Sequence, residues 1–122
     1  MKIRIRGNSV RFRLTKDEVE QLCREKFIEE KTNFPNLDFT YAIMVSATKK
    51  LAVDFANNQI SLQISEELLQ GWETNNRVGY SSTVPTSNNK TIDILLEKDF
   101  TCLEDRGEDE SNNYPNPKSL TH

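Results

Sequence analysis

The stretch that decides the fold is residues 1–14, which read MKIRIRGNSVRFRL. Apolar and basic residues alternate on both sides of Gly7 and Asn8, a dipeptide typical of a two-residue hairpin turn. Pairing across that turn places Ile5 opposite Val10 and collects all the apolar side chains on one face. A slip of one residue would turn each of them to the other face. The pattern therefore predicts an antiparallel hairpin with one apolar and one basic face.

Two short helices are predicted from capping signals that follow hairpin-like segments. Thr15 stands three residues before Glu18, which is the spacing of a capping box and predicts a helix over about 16–26. Ser65 is followed by two glutamates and by apolar residues at helical spacing, which predicts a second helix over about 65–72.

The remaining chain predicts strands by its alternation of apolar and polar residues. These strands are expected at about 39–45, 51–55, 60–64, 78–82 and 91–97. The first three of these are expected to form a meander in which Val45 lies opposite Leu51. No internal repeat is expected at any useful period. The predicted class is α+β, an antiparallel curled sheet or small barrel built from hairpins.

Length and composition suit one small domain. The chain has 122 residues, of which 35% are hydrophobic and 29% charged, and its formal net charge is -3. That balance argues against a whole-chain nucleic-acid binder and against full disorder. We expect a single globular domain at 1–100 and, at 101–122, an acidic, proline-containing C-terminal tail packed back on the domain. No apolar run is long enough to span a membrane and no signal peptide is visible, so a cytoplasmic location without a membrane partner is expected.

Histidine and cysteine usage restricts the chemistry. The only histidine is His122, which excludes a histidine-based triad or a multi-histidine metal site within one chain. Cys23 and Cys102 form no metal-binding spacing, and two free thiols are expected, with a disulfide between them as the alternative. We expect no cofactor, no metal and no catalytic residue that the sequence can name.

The basic side of the N-terminal hairpin is the first candidate site. Its register places like charges opposite each other, which is destabilising unless something compensates for them. One interpretation is a solvated face that protects an edge strand from aggregation. The other is an anion-binding site, since arginine binds carboxylates and phosphates through two parallel hydrogen bonds. The candidate anion-binding residues are Lys2, Arg4, Arg6, Arg11 and Arg13.

An acidic stretch near the other end of the chain is the second candidate. Residues 97–110 contain seven acidic and two basic side chains, without the alternating pattern of a calcium loop. The stretch is either a solvating tail or a segment that folds back onto the basic hairpin. The candidate tail contacts are Glu104, Asp105, Glu108, Asp109 and Glu110.

The two ends of the chain resemble a small family of uncharacterised bacterial proteins. The resemblance rests on the MKIRIRGNSVRFRL start and on a closing pattern of EKDF at 97–100, Cys102-Leu103, Glu108-Asp109 and the YPNP of 114–117. It implies a bacterial, cytoplasmic, single-domain protein and supplies no activity. It also implies a histidine at the position of Asn116, where this chain departs from the family.

The favoured function is a non-enzymatic binding or accessory module. Its basic hairpin would hold an anionic ligand, an acidic protein segment or its own tail, and nucleic acid is not the expected partner. One alternative is an enzyme that acts on an anionic substrate, with Glu97 or Asp99 as base. Another is a scaffold whose charged ends pair between subunits. Across these alternatives the expected oligomeric state is a monomer or a small homo-oligomer.

Overall fold

The computed structural model describes residues 1–100, which form two helices and two four-stranded sheets. The predicted tail at 101–122 lies outside the described residues. The elements are β1 (Lys2–Arg6), β2 (Ser9–Leu14), α1 (Lys16–Glu25), β3 (Phe27–Asn33), β4 (Asp38–Val45), β5 (Ala52–Ala56), β6 (Gln59–Ile64), α2 (Glu66–Leu69), β7 (Gly79–Pro85) and β8 (Thr91–Lys98).

The two sheets are built from hairpins but are mixed rather than purely antiparallel. Their strand orders are β1-β2-β8-β7 and β3-β4-β6-β5. β2 and β8 run parallel in the first sheet, as do β4 and β6 in the second, while the other neighbours are antiparallel. The α+β class is confirmed, and the sheets remain open instead of closing into a barrel.

The predicted meander is wrong in its middle pairing. Val45 lies beside Ile64 of the parallel neighbour β6, and β5 lies on the far side of β6. The other edge of β4 is taken by β3, a strand that the sequence did not indicate because its residues 29–33 are all polar or charged. β6 has alternate residues buried, as expected of a strand with a neighbour on each side.

Local signals predicted the turns and helix starts well. The hairpin register is confirmed, with Ile5 opposite Val10, and Gly7 adopts φ +54 in the turn. Thr15 caps α1, and Glu18 completes the capping box through its side chain. Ser65 caps α2, which is shorter than predicted and ends at Leu69.

The chain contains a structural repeat at an offset of about 50 residues. The secondary structure and burial of residues 4–19 recur over 54–69. The β1–β2 hairpin and the start of α1 thus correspond to the β5–β6 hairpin and the start of α2. The sequence does not show this repeat, because the two halves share their burial pattern and capping positions but not their side-chain identities.

The two halves exchange hairpins, so each sheet contains strands from both. The Asp93 N–H donates to the Asn8 carbonyl at 3.0 Å, and the Thr40 N–H donates to the Asn58 carbonyl at the same distance. These matched bonds relate β8 to β4 at an offset of 53 residues. The exchange places the last described strand beside the N-terminal hairpin, which positions the candidate site.

The core lies between the two sheets and beneath the helices. Trp72 and Tyr80 belong to it, with ring centroids 5.1 Å apart. The Trp72 Nε1–H donates to the Arg77 carbonyl at 2.9 Å. Fully buried members of the core include Phe12, Leu14, Leu22, Ile43, Leu62, Ile64, Trp72, Ile94 and Leu96.

Candidate anion-binding face

The outer surface of the β1–β2 hairpin carries five basic side chains, which we call the cationic face: Lys2, Arg4, Arg6, Arg11 and Arg13. The register pairs Lys2 with Arg13 and Arg4 with Arg11. The alternate residues of β2, including Phe12, are buried in the core. The apolar side therefore fixes the register, and the register in turn forces the cations together.

Glu97 partly compensates for these charges. Because β8 runs parallel to β2, Glu97 lies beside Arg13 in the ladder. Its Oε1 is 3.4 Å from the Nε of Arg11 and 3.5 Å from the Nε of Arg13. One carboxylate is thus shared by two arginines.

Asp99 supplies the second carboxylate and is only 4% exposed. Its Oδ2 lies 3.2 Å from the Nζ of Lys2 but makes no well-directed hydrogen bond to the described residues. Its backbone N–H donates to the Leu14 carbonyl at 2.8 Å, which holds the residue against the end of β2. The buried charge of Asp99 therefore depends on Lys2.

The other two arginines of the face, Arg4 and Arg6, lack such partners within residues 1–100. Arg4 and Arg6 are exposed and form no ion pair with any residue in the range 1–100. A depression of about 350 Å³ on this surface is lined by Lys2, Ile3, Arg4, Arg11 and Arg13. Within residues 1–100, five cations against two carboxylates leave the face positively charged.

The second half of the chain shows that the fold itself does not require these cations. The hairpin β5–β6 has the same turn length and nearly the same burial pattern as β1–β2. The positions equivalent to the five cations are held by Ala52, Asp54, Ala56, Ser61 and Gln63. The charge is therefore a property of one hairpin and not of the architecture.

A family model matches most of the chain. The model, described as a family of unknown function (DUF7009), matches residues 1–118. The chain belongs to this family. DUF7009 is a family of unknown function, so the expectation that the chain belongs to an uncharacterised family is confirmed. No curated protein and no solved structure matches the chain significantly.

The residues suggested for an enzyme in this DUF7009 chain have other contacts. Glu97 and Asp99 pair with the cationic face and do not line its depression. Lys98, which lies between these two carboxylates in the sequence, is 4% exposed, and its Nζ donates to the Asn75 carbonyl at 2.7 Å. Burial lowers the pKa of Lys98 because the charged form is poorly solvated there. The predicted tail contacts, Glu104 to Glu110, lie outside the described residues, as does Cys102.

Cys23 is a free, half-buried thiol whose environment opposes ionisation. Its Sγ lies 3.5 Å from the Leu69 carbonyl oxygen. Burial, together with a hydrogen bond to Glu73, raises the pKa of Cys23 to about 12. The same bond lowers the pKa of Glu73. Cys23 and Glu73 occupy equivalent positions of the two halves. Their contact could not be predicted from the sequence, because the repeat that relates the two positions is not visible there.

We expect Cys23 to be inert towards thiol reagents in the folded protein. In a Cys102→Ser variant, modification by a disulfide reagent at pH 8 should be slow and should become fast on unfolding, because only the thiolate reacts. The rate of modification is measured by the absorbance of the thiol that the reagent releases. Rapid labelling of native Cys23 at pH 8 would contradict the raised pKa.

A second concave feature, an apolar cleft of about 640 Å³, opens between the sheets. Equivalent residues of the two halves line it, including Ile5 with Phe55 and Val10 with Ile60. Its polar lining is limited to Asp54, Thr86 and Ser87. Within residues 1–100 no group of three His, Cys, Asp or Glu side chains is placed to hold a metal ion, and no helix there is long and apolar enough to cross a membrane.

Proposed function

We propose that this DUF7009 protein is a non-enzymatic binding module whose cationic face holds an acidic polypeptide segment. In the isolated chain, the proposed occupant is its own segment 104–110. The observation that carries the proposal is the inequality of the two hairpins, since one bears five cations where its structural equivalent bears none. Cations opposite one another cost stability, so their presence favours a role in binding.

The path of the chain supports the choice of occupant. The last described strand, β8, lies beside β2, and Asp99 contacts Lys2 at 3.2 Å. Glu104 comes five positions after Asp99 in the sequence, which is a reach of at most about 17 Å. The segment 104–110 carries five carboxylates and one arginine. The acidic segment therefore follows closely, in sequence, a strand that lies beside the basic hairpin.

The energetics favour an occupant that can be displaced. Exposed ion pairs contribute about 0.2–1 kcal/mol each, so several must act together. A short tether gives the segment an effective concentration on the order of millimolar, which offsets weak individual contacts. A more acidic segment of a partner protein would compete for the same arginines. The bacterial and cytoplasmic setting implied by the sequence resemblance is part of this proposal.

Stability measurements on arginine variants test the proposal. If the face were only solvated, Arg4→Ala and Arg6→Ala, which remove no ion pair within residues 1–100, should leave the urea midpoint unchanged or raise it, because like-charge repulsion is relieved. If the face holds the acidic segment, both changes should lower the free energy of unfolding by about 0.5–1 kcal/mol, and more at low salt.

The exposed Lys90 at the turn before β8 provides the matched control. Lys90→Ala removes one positive charge away from the cationic face and should have no salt-dependent effect. Unchanged or raised midpoints in both arginine variants would reject the bound segment.

A further inference from the structure

A second basic groove lies beside β7, at the opposite edge of the same sheet from β1. It encloses about 360 Å³ and is lined by residues of four segments: the loop before β5, helix α2, the loop before β7, and β7 itself. Its lining includes three cations, Lys49, Lys50 and Arg77, and no carboxylate. We propose that this groove binds a small tetrahedral oxyanion, namely inorganic phosphate or the phosphate group of a small molecule.

Arg77 is held in place without an acidic partner. Its Nε–H donates to the Gly79 carbonyl at 3.0 Å, and its backbone N–H donates to the Asn75 Oδ1 at 2.9 Å. Its guanidinium carbon lies 4.4 Å from the centroid of the Tyr80 ring. Among residues 1–100 it forms no ion pair with a carboxylate. A guanidinium fixed in this way loses little side-chain entropy when an anion binds.

The loop that carries the two lysines is also anchored. The Thr48 hydroxyl donates to the Lys50 carbonyl at 2.7 Å, which closes the turn. The next residue, Leu51, is 2% exposed, and its carbonyl accepts from the Ser82 hydroxyl of β7 at 2.8 Å. The lysine backbone is thereby fixed relative to β7.

A hydroxyl group completes the set of donors. Ser81 is exposed on β7, lines the groove and makes no side-chain hydrogen bond within the described part of the chain. Guanidinium, ammonium and hydroxyl donors from separate segments suit an anion with oxygens on several sides. Three cations more than neutralise the charge of about -1.5 to -2 that a phosphate group carries near pH 7.

The structural repeat again supplies a comparison. The register of the two outer hairpins makes Ser81 and Ser82 of β7 equivalent to Glu29 and Glu30 of β3. The corresponding surface of the other half is therefore acidic where the groove presents hydroxyls. The volume of the groove lies within the range of small-molecule pockets and favours a compact ligand over a folded partner.

Titration of the full-length protein with inorganic phosphate tests the site. We expect saturable changes in the amide resonances of Lys49, Arg77 and Ser81 in heteronuclear NMR spectra. Arg77→Gln, and separately Lys49→Gln with Lys50→Gln, should weaken the phosphate affinity at least tenfold. Lys31→Gln, an exposed lysine on β3, is the matched control and should leave the affinity unchanged.

Two further arms keep the outcomes distinct. Arg77→Lys retains the charge and the packing stem, so a loss of affinity with an unchanged melting temperature would assign the effect to the guanidinium. Arg4→Ala and Arg11→Ala, which alter the cationic face, should leave phosphate binding in the groove at Arg77 unchanged. Non-saturable shifts, equal affinity in Arg77→Gln, or equal binding of malonate would overturn the phosphate site.

Discussion

Replacing Gly79 with alanine is expected to destabilise the fold by about 3 kcal/mol, the upper range for overpacking. A Cβ atom at Gly79 would clash with the Leu96 carbonyl oxygen and lie 2.9 Å from the Glu97 Cα. Both atoms belong to the backbone of β8, which cannot rotate aside as a side chain would. Gly79 is also the ladder partner of Glu97, so the distortion reaches the carboxylate shared by Arg11 and Arg13.

Equilibrium urea unfolding of the two proteins measures this effect, with Gly71→Ala as the control. A Cβ atom at Gly71 would meet no other atom within 4 Å, and the residue adopts φ +74. Its substitution should therefore cost only the left-handed backbone penalty, about 1–2 kcal/mol. A Gly79→Ala protein no less stable than Gly71→Ala would show that β7 and β8 do not approach as described.

Removing Lys2 should cost about 1–3 kcal/mol although the lysine itself is largely exposed. The reason lies in its partner, because Asp99 is 4% exposed and Lys2 provides its ion pair at 3.2 Å. Lys2→Ala would leave a buried carboxylate without compensation. Exposure of the lysine screens the pair, which keeps the effect below that of a fully buried one.

A double-mutant cycle separates this cause from a general loss of packing. The equivalents of Lys2 and Asp99 in the second half are Ala52 and Ser46, and the Ser46 N–H bonds the Ile64 carbonyl as Asp99 bonds Leu14. The combination of Lys2→Ala with Asp99→Ser should thus recover most of the lost stability in urea denaturation. Additive losses would mean that the two side chains are not coupled.

Local features of the fold were predictable from sequence because they depend on neighbouring residues. The alternation in residues 1–14 determined the hairpin register, and Thr15 with Glu18 determined the start of α1. The parallel pairs β2–β8 and β4–β6 were not predictable, since they join segments that no turn connects. β3 was missed because its polar residues lack the alternation that indicates a strand.

The candidate site was predictable only in part for the same reason. The hairpin register alone brought Arg4 and Arg11 together. The compensation by Glu97 and Asp99 required the long-range pairing of β8 with β2, and the sequence instead assigned both carboxylates to the acidic stretch. The basic groove at Arg77 had no sequence signal because its lysines belong to a distant loop.

The most direct test of the bound acidic segment compares amide spectra of two full-length proteins. The variant replaces the five carboxylates of 104–110 with amides, through Glu104→Gln, Asp105→Asn, Glu108→Gln, Asp109→Asn and Glu110→Gln. We predict shift changes concentrated in β1 and β2, largest at Arg4 and Arg11, absent from β5 and β6, and independent of protein concentration. Identical spectra over residues 2–13 would contradict the proposal, and changes that grow with concentration would show pairing between subunits instead.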